Sequence, residues 1–252
     1  MTLTSLLRPL AALVVVCVLG AGGSAPAQEM SVPPDRAALE NAIRDYILAH
    51  PEVIIESVRR YQQRQQEGAA SLVRETIRAR FDEIFNDPAA PVAGNPAGDV
   101  TLVEFFDYNC PYCKRVRAIV AQAMAEDAGL RVVFKEFPIL APSSTVAARA
   151  ALAARKQAPD KYLAFHDALM ENRSPLNPPR ILAIAEDVGL DTKRLRADMK
   201  DDAIQTALER NRALADDLGI RGTPAFVIGD RLYPGAMDLT TLKRLIDEAR
   251  SS

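Results

Sequence analysis

The fifteen residues from Val100 to Lys114, VTLVEFFDYNCPYCK, decide the fold of this chain. The apolar run from Leu102 to Phe106, interrupted only by Glu104, is typical of a strand that is covered on both faces. Polar residues end this run, and the tetrapeptide CPYC at 110–113 then opens a helical segment. The first cysteine therefore lies at a helix N-terminus, where unpaired backbone N–H groups and the helix dipole favour a thiolate.

The two cysteines of this tetrapeptide have the spacing of a redox pair. A thiolate at Cys110 would attack disulfides, and Cys113, one helical turn later, can attack the resulting mixed disulfide and release the partner. A zinc site lacks its second half, because His50 and His166 lie in unrelated helical contexts and Cys17 lies near the N-terminus. A purely structural disulfide is disfavoured, because the loop between these two cysteines is too short for the bond to connect distant parts of the chain. We expect an exposed nucleophile at Cys110, a buried Cys113 and no metal.

Residues 1–27 have the features of a secretory signal peptide. Arg8 supplies the positive charge, Leu10 to Leu19 form the apolar core, and Ala25-Pro26-Ala27 is a small-residue cleavage site. The apolar core is too short for a membrane anchor. We expect a mature chain that begins near Gln28 in an oxidising compartment, where a cysteine pair can persist as a disulfide.

Composition excludes several classes of partner. The 252 residues are 48% hydrophobic, which is enough for a sizeable core. The formal net charge is -2, and the absence of a basic excess argues against nucleic acid and anionic membranes as partners. After the leader, no apolar run is long enough to cross a bilayer, so we expect no membrane association of the mature chain.

Residues 28–87 are helical in pattern and carry a narrow apolar stripe. Such a stripe either packs on the chain's own catalytic domain or joins copies of the chain, and we predict self-association through residues 35–85. A linker rich in proline and glycine is predicted at 88–98, before a domain at 99–252. The stripe consists of Leu39, Ile43, Ile47, Ile54, Val58, Tyr61, Leu72, Ile77 and Phe81.

The elements after the CPYC helix complete an α/β pattern. The segment RVVFKEF at 131–137 reads as a second buried strand, parallel to the first. Residues 141–218 are helical in pattern, and Thr223-Pro224 then precedes the short strand AFVI. Gly229-Asp230 predicts a two-residue turn into a last strand, before a terminal helix.

This order of elements resembles the DsbA-like branch of the thioredoxin superfamily over roughly residues 99–252. The stretch DYILAHPEVIIES at 45–57 is similar to the N-terminal region of ScsC-type proteins, the bacterial periplasmic suppressors of copper sensitivity. The resemblance implies a thioredoxin fold with a helical insertion at 141–218, and a preceding helical extension. It also implies a periplasmic location, no cofactor, protein substrates with cysteines and an unidentified redox partner.

The resemblance assigns roles to four further residues. Pro224 matches the cis-proline that faces the two cysteines in thioredoxin-like proteins, and Thr223 would offer backbone groups to an extended substrate. Glu104 matches a buried acid of the family, and Lys135 on the neighbouring strand is its expected partner. This pair is either a proton relay for Cys113 or a structural ion pair.

The direction of exchange is open between oxidation, reduction and isomerisation, because one mechanism serves all three. Tyr112 stands where DsbA itself has histidine. Thr223 stands where DsbA has valine, and threonine is the residue found there in isomerases such as DsbC. These two positions favour an isomerase or reductase over a DsbA-type oxidase. A different class remains open: two soft thiolates can hold Cu(I), which would make the protein a copper chaperone or buffer.

Overall fold

The computed structural model describes residues 35–251, so the predicted signal peptide and Cys17 lie outside the described residues. The chain divides into two compact units, with the boundary between Val58 and Arg59. The described part of the first unit contains helix α1 (Arg36–Ala49) and the start of helix α2 (Glu52–Ala79). Asp35 caps α1 by accepting hydrogen bonds from two backbone N–H groups, and Pro51 lies just before α2.

The second unit is built on a mixed sheet. Its strands are β1 (Val92–Gly94), β2 (Val100–Phe106), β3 (Leu130–Glu136), β4 (Ala225–Ile228) and β5 (Arg231–Pro234). Among residues 35–251 the strand order is β1-β3-β2-β4-β5, with β2 and β3 parallel and the other neighbours antiparallel. The predicted strands and the turn at Gly229-Asp230 are present, and Gly229 has the positive φ of 58° that such a turn favours.

The segment 88–98, predicted as a linker, contains β1 and is therefore part of the sheet. Val92 to Gly94 pair antiparallel with Arg131 to Val133 of β3. Ala93 is buried in the core, whereas Val92 is 38% exposed. A three-residue strand between prolines and glycines gives too short an alternation to be recognised from sequence.

Helices cover both faces of this sheet. They are α3 (Phe81–Phe85), α4 (Pro111–Glu126), α5 (Pro142–Gln157), α6 (Tyr162–Glu171), α7 (Pro178–Asp187), α8 (Thr192–Asp198), α9 (Asp202–Asp217) and α10 (Leu239–Arg250), with a 3₁₀ turn at Pro159–Lys161. One face packs against α4, α10 and the helices α5–α8, and the opposite face packs against α3 and α9. Residues 141–218 thus form the predicted helical insertion.

The boundary predicted at residue 87 is misplaced, because part of the N-terminal segment belongs to this core. Ile77 near the end of α2, with Ile84 and Phe85 of α3, is buried against the face that carries α9. The other residues of the predicted stripe are exposed or half-exposed. None of the helices within residues 35–251 combines the length and the apolar composition that a bilayer crossing requires.

Candidate redox site

Cys110 forms the N-cap of α4. Its Sγ accepts a hydrogen bond from the backbone N–H of Cys113 at 3.4 Å, and Pro111 occupies the first turn, where no N–H is needed. The apolar strand β2 and the polar turn that follows it deliver the residue to this position. The helix-terminal placement predicted for Cys110 is confirmed.

The loop before β4 closes over Cys110. The peptide bond between Thr223 and Pro224 is cis, as the resemblance implies, and Pro224 is buried. The Cys110 thiol donates a hydrogen bond to the Thr223 carbonyl at 3.2 Å. Only 3% of Cys110 is exposed, so the expectation of an exposed nucleophile is wrong for this structure. The two residues between the cysteines are accessible: Pro111 is exposed and Tyr112 is 53% exposed.

The two cysteines differ in acidity because they differ in surroundings. The Cys113 thiol, followed by the Thr223 side chain and backbone N–H groups at the helix start, lowers the pKa of Cys110 to about 6, although burial opposes this. Burial raises the pKa of Cys113 far above its ordinary value, and the hydrogen bond to Cys110 and the charge of Glu104 add to this effect. At neutral pH Cys110 is therefore mostly a thiolate and Cys113 a thiol.

The Thr223 hydroxyl is a candidate donor to this thiolate. Its Oγ1 is buried and has no hydrogen-bond partner among residues 35–251. Once Cys110 is ionised, its sulfur becomes an acceptor, and the hydroxyl contributes to the lowered pKa of Cys110. Thr223 therefore lies where its hydroxyl can respond to a change of charge on the Cys110 sulfur.

Glu104 lies behind the cysteines without the partner that the sequence suggested. The β2–β3 register pairs Glu104 with Phe134 and Phe105 with Lys135, which puts Glu104 and Lys135 on opposite faces of the sheet. Lys135 instead forms an ion pair with Asp87 at 2.8 Å. The predicted Glu104–Lys135 pair is therefore wrong. A shift of one residue along a strand places a side chain on the opposite face of the sheet.

Burial dominates the chemistry of Glu104. The residue is 3% exposed, and its carboxyl has no hydrogen bond or ion pair within the part of the chain that the structure describes. Burial, and secondly the charge on Cys110, raise the pKa of Glu104 to about 8. A carboxyl that titrates near neutral pH next to a buried thiol can take up or give a proton there.

Asp107 fixes the loop beside the cysteines. Its Oδ2 accepts hydrogen bonds from the backbone N–H groups of Ile139 and Leu140, at 2.8 and 2.9 Å, and its Oδ1 accepts one from Asn109. The side chain is 1% exposed, and these backbone donors satisfy it. The sequence showed only a polar turn at this point.

A buried polar cluster next to this turn was not predicted. The hydroxyls of Tyr108 and Tyr162 donate to Oε1 of Glu136, at 3.3 and 3.2 Å, and Nδ1 of His166 lies 3.1 Å from the Tyr108 hydroxyl. His166 is 2% exposed and lies on the buried face of α6. Its partners come from distant parts of the chain, so the sequence around it does not indicate them.

Family models match both parts of the chain. A DSBA-like thioredoxin domain matches residues 101–247, which is more than half of the chain. The N-terminal domain of the copper resistance protein ScsC matches residues 35–67.

Solved structures agree with these matches. A thioredoxin-like oxidoreductase from Silicibacter pomeroyi DSS-3 is 50% identical, covers 68% of this chain and 98% of its own, and has a TM-score of 0.66. The catalytic domain of Proteus mirabilis ScsC is 33% identical, with coverages of 71% and 99% and a TM-score of 0.66. A periplasmic thioredoxin-like protein from Salmonella enterica serovar Typhimurium is 33% identical, with coverages of 68% and 96% and a TM-score of 0.63.

Matches to curated proteins are partial. A Na(+)/H(+) antiporter NhaA 1 from Salinispora arenicola is 29% identical over 160 residues, which is 63% of this chain and 24% of that protein. The chain thus spans about a quarter of the length of the curated relatives that it matches first.

Proposed function

This chain belongs to the DSBA-like thioredoxin family of thiol–disulfide oxidoreductases, and we propose that it isomerises or reduces disulfides of exported proteins through Cys110 and Cys113. One observation carries the proposal: two cysteines one helical turn apart have pKa values displaced in opposite directions. This asymmetry supports attack by Cys110 and resolution by Cys113.

The exchange takes place in two displacements. The Cys110 thiolate attacks one sulfur of a substrate disulfide, a mixed disulfide forms, and the other substrate sulfur leaves as a thiolate. Cys113 then loses its proton and attacks the Cys110 sulfur, and the first substrate sulfur leaves with the electron pair. The substrate gains two electrons and the protein keeps a Cys110–Cys113 disulfide, which a redox partner must reduce.

Isomerisation needs a balance between attack and release. A pKa of about 6 for Cys110 lies between the value of about 7 for thioredoxin, a reductant, and about 3.5 for the strong oxidant DsbA. Thr223 and Tyr112 add the sequence features that distinguish this site from DsbA itself. A DsbA-type dithiol oxidase is the second candidate, since a stabilised thiolate also favours the reduced form of the protein.

Ribonuclease as a substrate separates the two activities. The mature chain should restore activity to scrambled ribonuclease in a glutathione buffer faster than it oxidises reduced ribonuclease. Cys110→Ala should abolish both activities, while Cys113→Ala should keep slow reshuffling without net oxidation. Rapid oxidation of reduced ribonuclease with no effect on the scrambled form would identify an oxidase instead.

We further propose that copies of the chain associate through α1 and the start of α2. The support is a set of exposed apolar side chains, among them Ile43, Ile54, Val58 and Tyr61, between 46% and 58% exposed. Association would hold several redox sites around one substrate and raise their effective concentration. Light scattering of the mature chain and of Ile43→Asp/Ile54→Asp tests this: a monomeric parent chain at tens of micromolar would contradict it.

We also propose a periplasmic location, which the same comparisons and the predicted signal peptide support. The similar Salmonella protein is described as periplasmic. Fusion of residues 1–27 to a reporter enzyme that is active only after export checks this assignment.

A further inference from the structure

A small cavity lies next to Glu104, between β2, β3, α4 and α6. Its volume of about 10 Å³ has room for the centre of one water molecule. Polar side chains reach it from three directions, with Glu104 on β2, Arg117 on α4, and His166 and Asp167 on α6. Apolar residues of α4, β3 and α6 complete the lining. The cavity therefore gives the otherwise unpartnered Glu104 carboxyl a polar environment.

The outer wall of this cavity is an ion pair that also reaches solvent. Arg117 Nη1 lies 3.0 Å from Asp167 Oδ1, and the two side chains are 20% and 34% exposed. The second guanidinium nitrogen of Arg117 contacts Glu171 at 2.6 Å, but Glu171 is 63% exposed and does not line the cavity. Asp167 is thus a carboxylate that touches both the cavity and the surface.

The opposite wall does not lead outward. Burial, and secondly the charge of Arg117, lower the pKa of His166 to about 3, so the imidazole is neutral over the working pH range. Its Nδ1 is engaged with the Tyr108 hydroxyl, which leads to the buried Glu136. A proton that follows this cluster stays among buried groups, whereas the Asp167 carboxylate on the other side of the cavity reaches solvent.

The charged and titratable groups around Glu104 come from three elements. Helix α4 contributes Cys110, Cys113 and Arg117, and β3 contributes Glu136. Helix α6 contributes Tyr162, His166 and Asp167. The β4 neighbour of Glu104 is Phe226, and α10 adds apolar side chains to the same core.

We propose that this cavity is the route by which Glu104 exchanges its proton with solvent, with Asp167 as the outer proton acceptor and Arg117 as the residue that positions Asp167. The inference rests on the proposed exchange at Cys110 and Cys113. It adds Asp167 as a proton acceptor for Glu104 and Arg117 as a positioning residue, and neither side chain touches the substrate.

The closing step requires that Glu104 can exchange its proton. Cys113 gives its proton to the Glu104 carboxylate, its sulfur bonds to Cys110, and the substrate sulfur leaves as a thiolate. Glu104 carries a proton for much of the time at neutral pH, so that proton must leave before the carboxylate can accept another. The proton passes through the cavity to Asp167 and from there to bulk water; reduction of the disulfide uses the same path inward.

Glutathione disulfide separates this step from the attack by Cys110. The reduced mature chain is mixed with excess glutathione disulfide, quenched with acid at set times and examined by mass spectrometry. Formation of the mixed disulfide reports the attack by Cys110, and its decay reports closure by Cys113. Failure of the parent chain to form a mixed disulfide at Cys110 would refute the proposed function itself.

The variants Asp167→Asn, Asp167→Glu and Glu171→Gln test the route. Asp167→Asn should close the disulfide roughly tenfold more slowly at pH 7, a small part of the 10²–10⁴-fold that positioned proton transfer contributes. Its solvent deuterium isotope effect on closure should rise, because proton release becomes rate-limiting, while attack by Cys110 is unchanged.

The matched variants decide between a proton route and a structural effect. Asp167→Glu should restore closure to within about twofold of the parent rate, because it keeps an ionisable carboxylate. Glu171→Gln removes the other carboxylate that Arg117 binds and should close at the parent rate. Closure by Asp167→Asn at the parent rate, or an equal loss in Glu171→Gln, would overturn the inference.

Discussion

Replacement of Glu104 by glutamine should stabilise the reduced protein by an amount that grows with pH. Glu104 is buried, and its pKa is raised from 4.5 to about 8 in the folded protein. Glutamine has nearly the same shape as the protonated acid and does not ionise. The substitution therefore removes the cost of burying a charge and leaves packing almost unchanged.

The sign and size of this effect follow from linkage. An acid whose pKa is raised on folding adds its full contribution to the free energy of unfolding below its unfolded pKa. It loses that contribution as pH rises through the folded pKa. For Glu104 this window runs from about pH 4.5 to about pH 8. At about 1.4 kcal/mol per pH unit, the parent chain loses about 3 kcal/mol by pH 7 and about 4 kcal/mol by pH 8, where half of the Glu104 carboxyls are ionised. Glu104→Gln should recover these amounts.

Urea unfolding of the reduced mature chain at pH 5, 6, 7 and 8 measures the difference. Glu126→Gln is a control whose effect on stability should have the opposite pH dependence, because Lys243 lowers the pKa of this exposed carboxyl. The gain from Glu104→Gln should be smaller in the disulfide form, since the Cys110 charge that helps to raise the pKa of Glu104 is then absent. An equal gain at pH 5 and pH 8 in the reduced protein would refute the assigned pKa.

Three other variants test the remaining parts of the site. Thr223→Val should raise the pKa of Cys110 from about 6 to about 7, measured from alkylation rates against pH, because one donor to the thiolate is lost; Thr223→Ser should not. Cys113→Ala should move the pKa of Cys110 further towards its ordinary value, because the Cys113 thiol contributes most to lowering that pKa. If the alkylation rate of Cys110 in this variant still titrates near pH 6, the prediction is contradicted. Lys135→Met should cost about 3 kcal/mol of unfolding free energy by leaving Asp87 unpaired, and a Lys135→Met/Asp87→Leu double variant that recovers none of it would argue against the pair.

The sequence was sufficient for the features that depend on local order along the chain. The apolar run of β2, the CPYC tetrapeptide and the helical periodicities determine their elements within a few residues, so Cys110 could be placed at a helix start. The cis bond before Pro224 and its position opposite Cys110 came from the family resemblance, and local propensity alone would not have predicted them.

Features that depend on register or on distant partners could not be predicted. Lys135 lies on the strand next to Glu104, but the face that it occupies depends on an offset of one residue between two strands. Asp87, its actual partner, is the last residue of the predicted helical region, 48 positions before Lys135 in the chain. The hydrogen bond between Tyr108 and His166 joins residues 58 positions apart, beyond the reach of any periodicity.

Cys110 and Glu104 affect the stability of the reduced protein in opposite ways. The pKa of Cys110 is lowered on folding, from 9.0 to about 6, so its contribution is lost as pH falls through 6 and is fully present above pH 9. The contribution of Glu104 is lost as pH rises towards 8. Between pH 6 and pH 8 the slopes of unfolding free energy against pH from Cys110 and Glu104 nearly cancel. The stability of the parent chain would then change little with pH, and both contributions would be concealed. The site thus keeps a thiolate and a protonated acid side by side at neutral pH, and each becomes measurable only when the other is replaced.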